Sequence, residues 1–282
     1  MTLFQRMTLL LAGLLLATLP ALAEAVPGGQ LLLIGGGKRP AAVMQHFFRL
    51  SGGYDALILI VPTASELADT GEFYERQFTE MGCRNVRALP LATRAEAATG
   101  PWQALLPQAG GIFFTGGDQR RIINICRDTP FETELKKAFD RGLVVCGTSA
   151  GLACMSELMI TGDGAPEVIR VANMELWPGL GLFPHAILDQ HFIKRQRANR
   201  LIAVVLEHPG YLGIGVDEAT AVWLKPDRTL EVMGEGSVMV VDPAEAEIHR
   251  NEQGSLGVRS LKIHLLLPGD TFPLAPVARR SE

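Results

Sequence analysis

The sequence predicts an α/β protein built on a doubly wound, mostly parallel sheet. Apolar runs of roughly four to six residues alternate with longer amphipathic stretches, which is the pattern of βαβ units. Several of these runs end in glycines, where a buried strand gives way to a helix. The last third of the chain is different, because alternating β-branched segments are broken there by Gly, Pro and Asp. We therefore expect additional strands and hairpins at the carboxy-terminal end of one domain.

Four apolar runs are predicted to be the parallel strands. In chain order they are QLLLIGGG (30–37), DALILIVPTAS (55–65), GGIFFTGGDQ (110–119) and GLVVCGTSAG (142–151). Ligands of such sheets bind beyond the carboxyl ends of the strands, and the glycine-rich endings fall at that edge. The later strands are predicted within GIGVDEATAVWLKPDRTLEVMGEGSVMVVD (213–242) and SLKIHLLLPGDTF (260–272).

Length and composition limit the classes of protein to consider. The chain has 282 residues, of which 48% are hydrophobic, and a formal net charge of -4. This composition is typical of one enzyme-sized globular domain and excludes a disordered chain. The charge supplies no basic field for nucleic acid, so we expect no nucleic-acid partner.

The first 25 residues have the features of a secretory signal peptide. Arg6 precedes an apolar run over residues 9–19, and small-x-small triplets of the kind that signal peptidase accepts follow at 21–25. The run is shorter than the ~20 residues that span a bilayer, so no stable membrane anchor is expected after cleavage. We predict a signal peptide over 1–25, a single α/β domain over 26–282, and a periplasmic or secreted protein.

The four cysteines show no metal-binding or redox pattern. No CxxC pair or His/Cys zinc spacing is present, and most of the cysteines lie in apolar segments, where they act as small buried hydrophobes. Export would permit a disulfide, and the sequence leaves that point open. We expect no metal and no cofactor.

The segment GTSAG (147–151) fits the G-x-S-x-G nucleophile elbow, in which a strand runs into a helix through a tight turn. The turn exposes the serine at the strand tip and places its hydroxyl at a helix amino terminus, which favours developing negative charge. Ser149 is therefore the candidate nucleophile. The alternative is that Ser149 only caps the helix.

A second glycine turn supplies a candidate oxyanion hole. Gly116 and Gly117 end another predicted strand, where a backbone without side chains can approach a ligand and donate an N–H. The Gly117 and Ala150 N–H groups together would stabilise an oxyanion. The alternative is a glycine turn that only connects strand and helix.

His191 is the best candidate for the base. The other histidines lie in an amphipathic helix pattern, beside a Pro-Gly turn or in the hairpin region, except His185, which is close to the same block. His191 is flanked by Asp189, Gln190 and three arginines at the end of an apolar run, a density of polar groups that a core would not tolerate without purpose.

Two other functions compete at this point. IGGGK (34–38) could serve a non-catalytic anion- or nucleotide-binding protein as a phosphate cradle, but it completes neither known glycine-rich phosphate motif. An α/β-hydrolase esterase would require an HGGG-type loop, which the chain lacks.

Four segments together resemble the cyanophycinases of the S51 serine peptidase family, which also contains the aspartyl dipeptidases called peptidase E. They are FFTGGDQRRI, GTSAGLACMSELMITG, LDQHFIKRQRANRL and GIGVDEATAV, in family order, and the resemblance extends from about residue 31 to 273. It implies a flavodoxin-like sheet similar to that of class I glutamine amidotransferases, with added carboxy-terminal strands.

The resemblance also implies roles for particular residues. Ser149 matches the nucleophile, His191 the base and Glu167 the acid that orients it, with Asp163 as the nearest rival. The residues that match the pocket around the nucleophile are Gln119, Asp189, Gln190, Arg195, Arg197 and Arg200. Asp217 and Glu218 match another family segment, and we expect both to brace the fold beneath the site.

The expected substrate is cyanophycin, a poly-aspartate backbone with arginine attached to each side-chain carboxyl group. Hydrolysis of the backbone would release β-Asp-Arg dipeptides. Arginines suit this substrate because guanidinium groups bind carboxylates bidentately, although Arg197 and Arg200 could also be an ordinary solvated helix face. The alternative enzyme is a peptidase E-like dipeptidase for N-terminal aspartate. Whether the chain forms a homodimer is left open.

Overall fold

The computed structural model describes residues 28–165 and 167–274. The predicted signal peptide over 1–25 lies outside the described residues. The helices are α1 Ala41–Leu50, α2 Thr70–Glu80, α3 Arg94–Ala98, α4 Trp102–Leu105, α5 Gln119–Cys126, α6 Pro130–Asp140, α7 Ala150–Ala153 and α8 Ala198–Glu207, with a 3₁₀ turn at Leu106–Gln108. The strands are β1 Gln30–Ile34, β2 Ile58–Val61, β3 Val86–Ala88, β4 Gly111–Phe114, β5 Val144–Thr148, β6 Leu158–Gly164, β7 Met174–Pro178, β8 Ala186–Gln190, β9 Leu212–Val216, β10 Thr220–Leu224, β11 Thr229–Gly234, β12 Val238–Asp242, β13 Glu247–Arg250, β14 Leu256–Arg259, β15 Lys262–Leu266 and β16 Thr271–Pro273.

The central sheet has eight strands in the order β16-β11-β10-β1-β5-β4-β2-β3. The five strands from β1 to β3 in this order are parallel, and β10, β11 and β16 extend the sheet with antiparallel pairing. All four predicted parallel strands are present. The prediction of a mostly parallel α/β sheet with added carboxy-terminal strands is confirmed.

Burial on both faces explains why the parallel strands are continuous apolar runs. Successive side chains of a strand point to opposite faces, and in β1 Leu31 and Leu33 belong to one core cluster while Leu32 and Ile34 belong to another. Helices α1 and α2 contribute to the second cluster, and α5, α6 and α7 to the first. Helices therefore cover both faces, as in a doubly wound sheet.

A second sheet, in the order β15-β12-β9-β8, lies beside the first. In this sheet β8 and β9 are parallel, and β12 and β15 are antiparallel additions. The carboxyl ends of β8 and β9 meet the carboxyl end of β1, because the His191 N–H donates to the Gly35 carbonyl at 2.7 Å. The candidate site is built where these two edges converge.

The four cysteines are buried with free thiols, as the sequence predicted for most of them. Burial raises the pKa of Cys83 to about 11 and that of Cys126 to about 12, so these two thiols stay protonated at neutral pH. Within residues 28–165 and 167–274, no helix is long and apolar enough to cross a membrane.

Candidate active site

Ser149 stands in a strained turn at the end of β5, with φ 53° and ψ -110°. The turn requires glycines on either side. A Cβ at Gly147 would lie 2.1 Å from the Gly151 carbonyl oxygen, and one at Gly151 would lie 2.2 Å from the Phe114 carbonyl oxygen. Such strain persists only where the surrounding structure enforces it, and it concentrates at functional sites.

Three side chains form a hydrogen-bonded series. Ser149 Oγ lies 2.9 Å from His191 Nε2, and His191 Nδ1 lies 2.6 Å from Glu218 Oε1. A carboxylate on Nδ1 fixes the imidazole tautomer that leaves Nε2 free to accept the serine proton. The series has the connectivity of a nucleophile, a general base and an orienting acid.

The glycine run after β1 lies directly behind this series. A Cβ at Gly36 would lie 2.3 Å from His191 Cε1, and one at Gly37 would lie 3.0 Å from Glu218 Oε2. Both glycines also have φ in the left-handed region, at 113° and 66°. Gly36 and Gly37 are therefore required for the packing of the imidazole and the carboxylate. This packing explains the glycines of IGGGK without a phosphate-binding role.

The expectation for the orienting acid is wrong in this structure. Glu167 is exposed in the β6–β7 connection, and its carboxylate makes no hydrogen bond or ion pair with the residues that the structure describes. The rival, Asp163, accepts a hydrogen bond at 2.7 Å from Arg120 Nη1. Neither carboxylate contacts His191, because the β6–β7 hairpin lies along the cavity wall and the second sheet brings Glu218 to Nδ1.

Asp217 and Glu218 were both expected to brace the fold beneath the site. The Asp217 side chain does so, whereas the Glu218 carboxylate contacts His191. Asp217 Oδ1 accepts the Lys194 N–H at 3.1 Å and so holds the loop after His191. Glu218 is the second residue after the buried strand β9, and a polar side chain close to the carboxyl end of a buried strand is the same kind of signal that marked Ser149 directly after β5. That rule, applied to β9, is the signal in the sequence that could have identified it.

Burial lowers the pKa of His191 below its usual value of 6.5. The hydrogen bond that His191 Nδ1 donates to Glu218 opposes this change, while the positive charges of Arg195 and Arg197 lower the pKa further. The imidazole is therefore neutral at neutral pH. This is the form that a general base requires.

A cavity of about 480 Å³ opens beside Ser149. One wall comes from the amino terminus of α5, another from β6, and a third from the segment that leads into α8. The lining residues are Gly117, Asp118, Gln119, Arg120, Ser149, Thr161, Gly162, Gln190, Arg195, Arg197 and Arg200. Five of the six predicted pocket residues line it, and Asp189 lies behind it, fully buried.

The two predicted glutamines line the cavity from different elements. Gln119 is buried, and its Nε2 donates to the carbonyls of Ile160 and Thr161 at 2.9 and 2.7 Å. These bonds fix β6 against α5 and leave Gln119 Oε1 as the remaining acceptor. Gln190 ends β8, and its carbonyl accepts a hydrogen bond from Arg197 Nη1 at 2.6 Å.

The three predicted arginines have different environments. Arg200 is buried and paired with Asp189 through two hydrogen bonds, one of them from Nε at 2.7 Å. Arg197 lies 3.6 Å from the same carboxylate, and burial lowers the pKa of Arg197 to about 10, which leaves it charged at neutral pH. Arg195 is exposed and has no such partner among the described residues. The helix-face alternative is therefore wrong for Arg200.

The predicted oxyanion donors lie beside the serine. Gly117 lines the cavity with φ 142°, and a Cβ there would lie 2.0 Å from the Ala64 carbonyl oxygen, so only glycine fits. Ala150 is the first residue of α7, where the N–H has no partner within the helix. A Cβ on the adjoining Gly116 would lie 3.4 Å from Ser149 Cβ, which shows how closely the two turns approach.

A serine, a histidine and a carboxylate in series at the carboxyl edge of an α/β sheet define a serine hydrolase. The family model of peptidase family S51 matches residues 31–232. The chain is 39% identical to a cyanophycinase from Trichormus variabilis over 252 residues, which cover 86% of this chain and 85% of that protein. It is 35% identical to a cyanophycinase from Synechococcus elongatus over 255 residues, with 87% and 79% covered. The chain belongs to peptidase family S51 and is a serine-type peptidase.

A solved structure agrees in fold. The crystal structure of a peptidase from an acI-B1 Actinobacterium superposes with a TM-score of 0.68 at 21% identity and covers 87% of this chain and 97% of its own. At this identity the likeness concerns the fold alone. The resemblance read from the four sequence segments is confirmed at the level of family and fold.

Proposed function

We propose that the protein degrades cyanophycin by hydrolysing its aspartate backbone and releasing β-Asp-Arg dipeptides. One observation carries the proposal: the hydrogen-bonded series of Ser149, His191 and Glu218 opens into a cavity lined by arginines. Membership of family S51 and the cyanophycinases among the relatives support the choice of substrate.

The chemistry follows from the geometry. Ser149 Oγ attacks the backbone carbonyl carbon while His191 Nε2 takes the hydroxyl proton, and Glu218 holds and stabilises the imidazolium that forms. The Gly117 and Ala150 N–H groups stabilise the tetrahedral oxyanion. Collapse of this intermediate breaks the C–N bond, and His191 returns the proton to the leaving amine. Water then attacks the acyl-enzyme by the same route and frees the serine.

The cavity suits the charges of the substrate. Each unit of cyanophycin carries an arginine whose α-carboxylate is free, and planar guanidinium groups bind carboxylates through two parallel hydrogen bonds. Arg195 is exposed in the cavity and available for such a contact, whereas Arg200 is committed to Asp189. The substrate therefore meets Arg195 first, with Arg197 and Gln119 Oε1 further in.

Incubation of the purified protein with insoluble cyanophycin, followed by mass analysis of the soluble products, tests the proposal. We expect β-Asp-Arg dipeptides from the wild type and none from Ser149→Ala. An assay with dipeptides that begin with aspartate runs in parallel. Cleavage of those dipeptides with no release from cyanophycin would refute the proposed substrate and favour a peptidase E-like activity.

Export is proposed from the sequence of residues 1–25. The full chain, expressed in a bacterium with a periplasm, is expected in the periplasmic or secreted fraction with a new amino terminus near Glu24 or Val26. Intact mass and amino-terminal sequencing measure this directly. A cytoplasmic product that keeps residues 1–25 would contradict it.

A further inference from the structure

An ion pair joins two elements that wall the cavity and that the catalytic series does not use. Arg120 lies in the first turn of α5, and Asp163 lies near the end of β6. Arg120 Nη1 donates to Asp163 Oδ2 at 2.7 Å, and Arg120 lines the same cavity as Ser149. Arg120 therefore faces a substrate that reaches the serine, and Asp163 directly follows the lining residue Gly162 on β6.

Arg120 is held in place independently of Asp163. Its Nε lies 3.1 Å from both carboxylate oxygens of Asp118, and its Nη2 donates to Asp118 Oδ2 at 2.9 Å. Asp118 in turn caps α5 by accepting the Arg120 N–H at 2.8 Å. One edge of the guanidinium is fixed in this way, and Nη1 is left for a partner that can change.

Asp163 is also held in position through its backbone. The two hydrogen bonds from Gln119 to the Ile160 and Thr161 carbonyls attach β6 to the start of α5. The Asp163 N–H donates to the Thr161 hydroxyl at 3.3 Å. The backbone of Asp163 and the bound edge of the Arg120 guanidinium therefore stay in place when the contact between the two side chains opens.

The Arg120–Asp163 pair is much more exposed than the Arg200–Asp189 pair at the same cavity. The side chains of Arg120 and Asp163 are 37% and 65% exposed, whereas those of Arg200 and Asp189 are 5% and 0% exposed. An exposed ion pair contributes little to stability, so a ligand can replace it at small cost. A buried pair cannot be opened in the same way, because each ion would lose its main compensating charge.

We propose that Arg120 and Asp163 are specificity-determining residues that bind the zwitterionic arginine unit of the substrate. Arg120 binds the free α-carboxylate, and Asp163 binds the guanidinium. A ligand with one anion and one cation replaces both partners of the pair, and neither enzyme group is left without an opposite charge. This assignment rests on the proposed function, because it takes the unit to be that of cyanophycin.

Three short oligomers test the assignment. The parent carries β-Asp-Arg units, the second replaces each arginine with agmatine and so lacks the carboxylate, and the third replaces it with citrulline and so lacks the cation. We expect the wild type to prefer the parent over each analogue by about ten- to a hundredfold in kcat/KM, the range for a hydrogen bond between charged groups. Arg120→Gln is expected to reduce the preference over the agmatine oligomer and to leave the preference over the citrulline oligomer unchanged, and Asp163→Asn is expected to do the reverse.

A matched control is the exposed pair Arg84 and Asp55, whose side chains are both 73% exposed and which does not line the cavity. Arg84→Gln and Asp55→Asn are expected to keep both preferences. Two results would overturn this assignment and leave the proposed function standing. In the first, the wild type cleaves the parent oligomer with no preference over the analogues. In the second, Arg120→Gln and Asp163→Asn keep the wild-type preferences. Failure of the wild type to cleave any of the three oligomers would refute the proposed function and the assignment with it.

Discussion

Gly36 lies so close to His191 that a Cβ at residue 36 would lie 2.5 Å from Nε2, the atom that faces Ser149. The contact joins the loop after β1 to the imidazole of the residue that directly follows β8. A methyl group there has to move the ring or the loop, and a displacement of about 1 Å at a reacting group costs on the order of 100-fold in rate.

We predict that Gly36→Ala lowers kcat/KM by at least about 100-fold. Gly53→Ala is the matched control, because Gly53 has a similar left-handed φ of 94° and a Cβ there would have nothing within 4 Å. Both variants carry the backbone strain, and only the first contacts the imidazole. Steady-state kinetics with thermal melts separate the two effects, and equal activity in both variants would contradict the role of the contact.

Loss of the nucleophile is predicted to be the most damaging single change. Ser149→Ala removes the attacking oxygen, and members of a catalytic series act as a unit, so turnover is expected to fall by on the order of 10⁶-fold with the fold intact. Mass spectrometry after a serine-directed covalent inhibitor gives a second readout. Modification of the wild type at a residue other than Ser149 would show that this assignment is wrong.

Glu218→Gln is predicted to lower kcat by about 10³- to 10⁴-fold, because an amide at Nδ1 no longer stabilises the imidazolium or fixes the productive tautomer. Glu167→Gln is the matched control and is expected to retain wild-type turnover, since Glu167 is exposed and away from His191. The reverse result would restore the assignment that the sequence alone suggested.

Local signals in the sequence were sufficient to identify the nucleophile elbow and the histidine base. They were insufficient to identify the acid that orients the histidine. The glycines around Ser149 are required by contacts within one strand-turn-helix unit, so a local motif identifies them. Glu218 reaches His191 only because β8 and β9 pair in parallel in a second sheet, which pattern and periodicity did not predict. The alternating late segments predicted strands correctly. They did not show which strands extend the first sheet and which form the second.

The pH dependence of activity is predicted from the environment of His191. Its pKa is lowered first by burial, and the neutral imidazole is the active form, so kcat/KM is lost as the pH falls through a midpoint below 6.5. Arg195→Ala removes a charge that lowers this pKa and moves the midpoint to higher pH. Glu218→Gln replaces the charged acceptor that raises this pKa with a neutral amide and moves the midpoint to lower pH. Profiles of kcat/KM against pH measure both, with Lys194→Ala as a neighbouring charge control that is expected to leave the midpoint in place.

Two of the arginines that follow β8 are predicted to have different roles, in that Arg200 stabilises the fold and Arg195 binds the substrate. Arg200→Ala leaves the fully buried carboxylate of Asp189 without its main partner, which costs about 3 to 5 kcal/mol of unfolding free energy. Arg195→Ala removes an exposed side chain and is expected to change stability by less than about 0.5 kcal/mol, while kcat/KM on cyanophycin falls about ten- to a hundredfold because a charged hydrogen bond to substrate is lost. Lysine at 195 keeps the charge and loses the planar fork, so it restores the rate only in part. Urea unfolding and steady-state kinetics of the three variants test both roles. Equal stability of Arg200→Ala and Arg195→Ala would show that the buried pair does not hold the second sheet to α8. Unchanged kinetics of Arg195→Ala would remove that residue from the substrate site.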